Sequence, residues 1–450
     1  MIAELLDKRF VVESMNWVAV SLQKESLLFQ QGDADSKARS EAARTSGHDL
    51  DTAAGTIEKA RQNEAGTLAG APDTAEPFFP RNPVTALVQS HLHQFFEARG
   101  LVNEPQARGL AAGDIAVANR SLKMSALVGP SNKLFEPFEQ TDAGWISCKI
   151  AEAITRFKGR HEFPEDPPRI PIGNNARLIL VSDWGTAIPR AQLIGQRMRQ
   201  QMLHPDAARK EKHVIHLGDV YYCGYRDEYD QHFLRDWPVL DGEQDSYGSW
   251  CLNANHDMFS GGHDYFGYLL KEPRFQRQNT SSYFCLENND WQIFGLDTAY
   301  SEYDLQGNQA KWVEQVHAQG PNKKVILLSH HQPFSLYGEH ESPAVEAKLE
   351  NLLKTRMVRV WFWGHEHRCA MYQPRHYIQS PRLIGHGGVP VWAPTAAKPM
   401  GVEFEYTGSI ASGLEQFLRF GFAVLDFDGA NIGVQHIGED GKPYWIETVS

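Results

Sequence analysis

The sequence predicts an α/β fold: a sandwich of two mixed β-sheets flanked by helices, with a helical extension on its N-terminal side. Three observations carry this. From about residue 172 onward, short apolar runs rich in β-branched and aromatic residues recur, separated by helical or loop segments. Several of these runs are apolar throughout, as strands buried on both faces are. Two pairs of runs flank short Asn/Asp/Gly turns and read as hairpins. The chain has 450 residues, which exceeds one average core and calls for a large main domain plus additional elements. Its 42% hydrophobic and 11% aromatic content is that of a globular protein, so the main domain has material for a core.

Along the chain, the first 30 residues suit a short amphipathic element. Residues 31–76 are rich in Ala, Gly, Ser, Asp and Lys and nearly free of large apolar side chains. They read as a flexible connector with a transient helix near 57–62, making 1–76 an N-terminal segment. Val84, Leu87, Val88, Leu92, Phe95 and Phe96 recur at helical spacing before Gly100, and Ile146, Ile150, Ala153, Ile154 and Phe157 do so before Gly159. Residues 77–171 are therefore expected to be a helical extension, closed by a Pro-rich boundary over 163–171. The main domain is expected over 172–450. Its runs at 178–181, 214–217, 325–328 and 358–362 read as buried strands, and 283–286 with 291–296, and 422–427 with 432–437, as the hairpins.

Charge and composition narrow the function. A net charge of −12 argues against a general nucleic-acid-binding face, which would be basic. There is no apolar run of about 18 residues or more to span a membrane. The start of the chain lacks the basic, apolar and small-residue zones of a secretory signal. Five dispersed cysteines without CxxC spacing fit neither a disulfide framework nor a zinc knuckle, so the expected compartment is the cytoplasm.

The polar residues fall at strand ends. The run at 178–181 leads into Ser182-Asp183-Trp184-Gly185, and that at 214–217 into Gly218-Asp219-Val220-Tyr221-Tyr222. The run at 325–328 leads into Ser329-His330-His331, and that at 358–362 into Trp363-Gly364-His365-Glu366-His367. Asn255-His256-Asp257 lies between them. Taken singly, an Asp after a strand is a turn or a helix cap, and a lone His is a hydrogen-bonded bystander. Four strands that each deliver a carboxylate or imidazole to the carboxyl edge, where open α/β sheets bind ligands, point instead to one site. Hydrolysis of a phosphate ester needs its oxygens neutralised and a nucleophile made near neutral pH, and two cations roughly 3.5–4 Å apart do both. Imidazole, carboxylate and amide ligands suit iron, zinc or manganese. One carboxylate must bridge, and Asp219 is the natural candidate.

The series resembles the calcineurin-like metallophosphoesterases, whose blocks run Asp-x-His or Asp-x-Gly, Gly-Asp, Gly-Asn-His-Asp/Glu, a strand-end His and Gly-His-x-His. Gly185 stands where many members place a metal-binding His, and Tyr222 stands three residues after Asp219, an arrangement similar to that of the purple acid phosphatases. The resemblance implies one metal held by Asp183, Asp219, Tyr222 and His367, and another held by Asp219, Asn255, His330 and His365. A phenolate ligand favours ferric iron, so iron is expected at the Tyr222 site, with Fe, Zn or Mn at the second. Strand length and Ser335 favour His330 as the strand-end ligand, whereas the His-x-Pro spacing to Pro333 favours His331. Ala254 departs from the family's Gly.

The resemblance further implies that His256 is the acid that protonates the leaving oxygen, that Asp257 orients it, and that His340 is a substrate histidine. Arg368 reads either as a phosphate fork or as an exposed salt bridge. Asp297-Thr298 resembles a recurrent structural feature of these folds and is left outside the site; the 385–388 Gly-His-Gly-Gly run is loop-like and within reach of the site, but reads better as a simple turn, and Cys223 and Cys369 read as neighbours of ligands. The expected function is hydrolysis of a small phosphorylated substrate, a phosphomonoester, by a metal-bound hydroxide, without membrane or general nucleic-acid partners. A phosphodiesterase acting on cyclic nucleotides or nucleotide-linked compounds would use the same metals. A non-catalytic interaction module would keep the fold and lose ligands.

Overall fold

The computed structural model describes residues 159–450, except 209, 339–341, 395–396 and 413–414, together with isolated positions upstream. The chain divides into two compact units, residues 1–158 and 159–450. In the first unit the helix expected over 84–96 lies outside the described residues. Of the one expected over 146–157, Cys148, Ala151, Glu152 and Thr155 are described, and all four are helical. Arg44, His48 and Gly55, the described positions of the stretch read as a connector, are helical and exposed. Alanine-rich sequence favours helix locally even where no apolar face asks for burial.

The second unit is built on two mixed sheets and one hairpin. The eight-stranded sheet runs in the order β1 (Arg169–Pro171), β5 (Phe284–Glu287), β6 (Trp291–Gly295), β7 (Lys324–Leu328), β8 (Val358–Trp363), β10 (Ser380–Ile384), β9 (Cys369–Tyr372), β11 (Val402–Glu405). The six-stranded sheet runs β16 (Pro443–Val449), β15 (Asn431–Gly438), β14 (Gly421–Asp428), β2 (Arg177–Val181), β3 (Lys212–His216), β4 (Gly248–Cys251). Strands β12 (Ser409–Ser412) and β13 (Glu415–Leu418) form a separate two-stranded sheet. Both expected hairpins form, β5 with β6 and β14 with β15, each antiparallel. The unit starts upstream of residue 172: β1, within the Pro-rich stretch, pairs in parallel with β5.

Period-two alternation explains why the strands lie in a sandwich. Leu178 and Leu180, Ile215 and Leu217, Trp250 and Leu252, Ile326 and Leu328, and Val360 and Phe362 share one buried cluster drawn from both sheets. The intervening Phe294, Val325, Leu327 and Trp361, with Val358 beyond a register shift in β8, face a second cluster with Val313 and Val316 of a helix spanning Gln309–Ala318. Runs apolar on both faces are therefore strands covered on both faces. Each buried aliphatic or aromatic side chain contributes about 1.5–3 kcal/mol relative to exposure. On the six-stranded side, helix α1 (Pro189–Leu203) begins with proline in its first turn. It buries Ala191, Ile194, Met198 and Met202, at spacings of three and four, and packs beside β14. Among the described residues, no helix is long and apolar enough to cross a membrane.

This topology positions the site. Strands β2, β3 and β4 are mutually parallel, as are β6, β7 and β8. The loops leaving their carboxyl ends meet across the top of the sandwich, where the His365 amide donates to Oδ2 of Asp183 at 3.0 Å, one sheet's loop to the other's.

Candidate metal centre

Asp183, Asp219 and Asn255 come from the six-stranded sheet, and His330, His365 and His367 from the eight-stranded sheet. Asp183 (φ 55°), Asp219 (φ 76°) and His365 (φ 67°) all adopt left-handed backbone, which side-chain-bearing residues visit rarely and which clusters at functional sites. Gly218 enters the turn at φ 109°, where a Cβ would stand 2.5 Å from Cβ of Ala254 and 3.0 Å from Nδ1 of His330. Ala254 itself sits in extended backbone at φ −141°, so the departure from glycine there needs no adjustment.

Asp219 is the centre of the arrangement. Its Oδ2 accepts from the Tyr221 hydroxyl at 3.0 Å, and the same hydroxyl lies 3.1 Å from Oδ1 of Asp183 and 3.0 Å from Nε2 of His367. The other oxygen, Oδ1, lies 3.4 Å from Nε2 of His330. That nitrogen is 2.9 Å from Oδ1 of Asn255, which is 3.1 Å from Nδ1 of His365. Two clusters thus share one carboxylate. Among the described residues, Asp183, Asp219 and His330 form one group with ligand atoms within 4.8 Å, and His330, His331 and His365 another.

The donor set suits cations. Nδ1 of His330 faces the carbonyl of Leu217 at 3.1 Å and must carry the ring proton, since a carbonyl only accepts. The Nε2 lone pair of a neutral ring then points at the oxygens of Asn255 and Asp219, a convergence that calls for a cation or a further proton. Ligands of one transition-metal ion held at about 2.1 Å lie roughly 3 Å from one another, as these atoms do. Electrostatics agree. Burial opposes ionisation of Asp219, yet the imidazoles of His330, His256 and His365 hold its carboxyl well below the usual range. Burial, with the charges of Asp183 and Asp219, pushes the Tyr221 phenol well up, and a cation among these groups would reverse that.

Residues 176–369, which carry this site, match the family model described as calcineurin-like phosphoesterase. That stretch is similar to the calcineurin-like phosphoesterases. No curated protein matches the chain. Solved structures similar to it include GAP50, the anchor in the inner membrane complex of Plasmodium, at 13% identity, covering 61% of this chain and 89% of that one with a TM-score of 0.45. Others are a dimetal phosphatase from Danio rerio (12% identity, 63% and 99% covered, TM-score 0.42) and a zinc-complexed Vps29 from Entamoeba histolytica (12%, 61% and 98%, 0.27).

The phenol that the structure brings to Asp183, Asp219 and His367 is that of Tyr221, the neighbour of the expected Tyr222. Val220 forms a parallel bridge with Gly185, and the Tyr221 amide donates to the Gly185 carbonyl at 2.9 Å. Beyond that bridge the chain turns over residues 221–223, where the Gly224 amide donates to the Val220 carbonyl at 3.1 Å. The Tyr222 carbonyl accepts from Nδ1 of His256 at 2.6 Å, and its amide donates to Glu228 at 2.5 Å. Glu228 also receives the amides of Cys223 and Tyr225, both at 2.9 Å, so it pins the whole loop.

That contact changes the expected role of Asp257 as well. His256 is oriented by the Tyr222 carbonyl, leaving Nε2 turned to the site 4.0 Å from Oδ2 of Asp219. Asp257 instead accepts the amide of Asp219 through Oδ2 at 3.3 Å and the hydroxyl of Tyr229 through Oδ1. It holds the left-handed turn of the bridging carboxylate. Burial, then the charge of Asp219, pushes the Asp257 carboxyl up to about 7.

Both strand-end histidines reach the domain's ligand cluster. His331 is buried, with Nδ1 3.1 Å from the Thr298 hydroxyl and Nε2 without a hydrogen-bond partner. Thr298, expected to lie outside the site, touches it through this ring, while Asp297 anchors its loop by accepting from Asn253 and from the amides of Ala299 and Tyr300. Arg368 takes the salt-bridge alternative, 3.5 Å from Glu405 and stacked 4.1 Å from the Tyr337 ring. His340 lies outside the described residues. The 385–388 run is more than a turn. The Gly387 amide donates to the Ser182 carbonyl at 3.0 Å, and a Cβ on Gly385 would stand 2.3 Å from the Glu366 carbonyl and 3.1 Å from Oδ2 of Asp183, so the run backs Asp183 and Glu366 at closest approach. Tyr303, whose hydroxyl lies 2.7 Å from Nε2 of His365, sits in a loop without periodicity and has no signal in the sequence.

Proposed function

We propose that the domain hydrolyses phosphate monoesters at a two-cation site. Asp183, Asp219, Tyr221 and His367 hold one ion, and Asp219, Asn255, His365 and the strand-end histidines His330 and His331 hold the other. The observation that carries this reading is the split of Asp219, with Oδ2 toward the Tyr221 cluster and Oδ1 toward the His330 cluster. Cations bound there neutralise the phosphate oxygens and supply an acidified water as nucleophile. Iron is the proposed ion on the Tyr221 side, because a phenol ligand favours it, with Fe, Zn or Mn on the other. His256 is the proposed proton donor to the leaving oxygen: its Nδ1 is committed to the Tyr222 carbonyl, so Nε2 is the nitrogen that can deliver a proton into the site. The substrate is a small phosphorylated compound, and dispersed cysteines without CxxC spacing favour a cytoplasmic setting.

The test is metal analysis of the purified full chain before and after reconstitution with iron, zinc and manganese, followed by hydrolysis of monoester and diester panels. Two ions per chain with faster monoester cleavage are expected. Failure to retain any transition metal would leave a scaffold that keeps only the fold, and faster diester cleavage would move the substrate class to diesters.

A further inference from the structure

The loop between β6 and the Gln309–Ala318 helix brings one side chain onto the histidine end of the site. Tyr303 stands in a turn closed by the bridge of Ser301 with Asp304, whose amide donates to the Ser301 carbonyl at 2.7 Å. Its backbone is left-handed at φ 57°, a conformation a bulky residue keeps only where its surroundings fix it. They do fix it. Lys348 grips the next two residues, donating to Oδ2 of Asp304 and to the Leu305 carbonyl, each at 2.8 Å. The Tyr303 ring lies 4.2 Å from that of His331 between centroids and meets the His365 ring edge-on at 5.5 Å.

The polar contact sets a proton. A neutral imidazole carries one N–H, and the partner of one nitrogen decides what the other presents. Nδ1 of His365 faces the Asn255 oxygen, where the ligand lone pair has to be. Its proton then resides on Nε2 and is donated to the Tyr303 oxygen at 2.7 Å. Metal-binding histidines are commonly backed in this way by a carboxylate or carbonyl, and loss of such a partner typically costs about 10–100-fold in metal affinity. Here the backing group is a phenol, held in place by a strained turn.

We infer that Tyr303 is a positioning residue for the second cation: it fixes the tautomer and the ring plane of His365 and braces His331 beside it. The inference rests on the two-cation reading. The experiment titrates metal-free full-length protein with Zn²⁺ by calorimetry, comparing wild type with Tyr303→Phe. A control is Tyr300→Phe, from the same loop, whose hydroxyl donates to the His161 carbonyl at 2.7 Å, away from the site. Tyr303→Phe is expected to weaken one of two Zn²⁺ equilibria about 10–100-fold, to leave the other unchanged, and to recover turnover at saturating metal. Tyr300→Phe is expected to bind both ions as wild type does. Unchanged affinities in Tyr303→Phe, or equal losses in both variants, would overturn the role of Tyr303. A wild type that binds fewer than two ions would instead overturn the two-cation reading on which it stands.

Discussion

The hydroxyl of Tyr221 lies 3.0 Å from Oδ2 of Asp219, two residues earlier in the chain, and reaches Asp183 and His367 from the same point. If that phenol holds iron, the iron-loaded protein should show a visible ferric–phenolate charge-transfer band. Tyr221→Phe should abolish it, and Tyr222→Phe should keep it, because the Tyr221 hydroxyl is the one set among Asp183, Asp219 and His367. The absorption spectra of the two oxidised variants decide this. A band lost only in Tyr222→Phe would reverse the assignment.

What could be read in the sequence follows a physical rule. Asp183, Asp219, His330, His365 and His367 each end an apolar run buried on both faces, and parallel strands bring such ends to one edge. Local pattern was sufficient there. The choice between Tyr221 and Tyr222 depends on how the chain turns beyond Asp219, and that depends on Gly185, on a neighbouring strand's loop. The partner of His256 likewise depends on where the Tyr222 carbonyl falls. Tyr303 and the 385–388 run are loop residues placed by tertiary contacts, so no periodicity announces them.

His256 should matter in proportion to the leaving group. With Nδ1 bound to the Tyr222 carbonyl and Nε2 facing the site, His256→Ala should leave metal content unchanged. It should lower kcat for alkyl phosphates by about a hundredfold or more, within the range of general acid catalysis. For nitrophenyl phosphate, whose leaving group departs with little help, the loss should be much smaller. Equal losses for both substrates would mean that His256 binds phosphate without donating a proton.

Asp426 gives a stability prediction away from the site. It accepts from Nε and Nη2 of Arg177 at 2.7 and 2.6 Å and from Lys210 at 2.7 Å. Burial works against its charge, but Arg177 and Lys210 outweigh that and hold the carboxyl below its ordinary value. A depressed folded-state pKa stabilises the fold above the unfolded-state value, about 3.9, and this contribution is lost as pH falls through the folded value. Asp426→Asn should cost less at pH 7 than the roughly 3–5 kcal/mol of a fully buried pair, because Arg177 loses its counter-charge but solvent already screens the partly exposed Asp426. Urea unfolding at several pH values should show the gap between variant and wild type closing in acid. A gap that is the same throughout would assign the cost to packing.

Gly387 tests whether the site depends on the loop behind it. A Cβ there would stand 2.2 Å from the Ser182 carbonyl, 2.9 Å from Cγ2 of Val181 and 3.0 Å from Cβ of Trp184. The first of these is backbone, with no flexible end to move away, and it directly precedes Asp183. Overpacking of this kind costs about 1–3 kcal/mol, and relief requires the end of β2 to shift, carrying Asp183 with it. Gly387→Ala should therefore lower the thermal midpoint and weaken retention of the ion on the Tyr221 side. Gly433→Ala is the control, since a Cβ at that strand position meets nothing within 4 Å. If Gly387→Ala matched Gly433→Ala in midpoint and metal content, the close approach would have no bearing on the site.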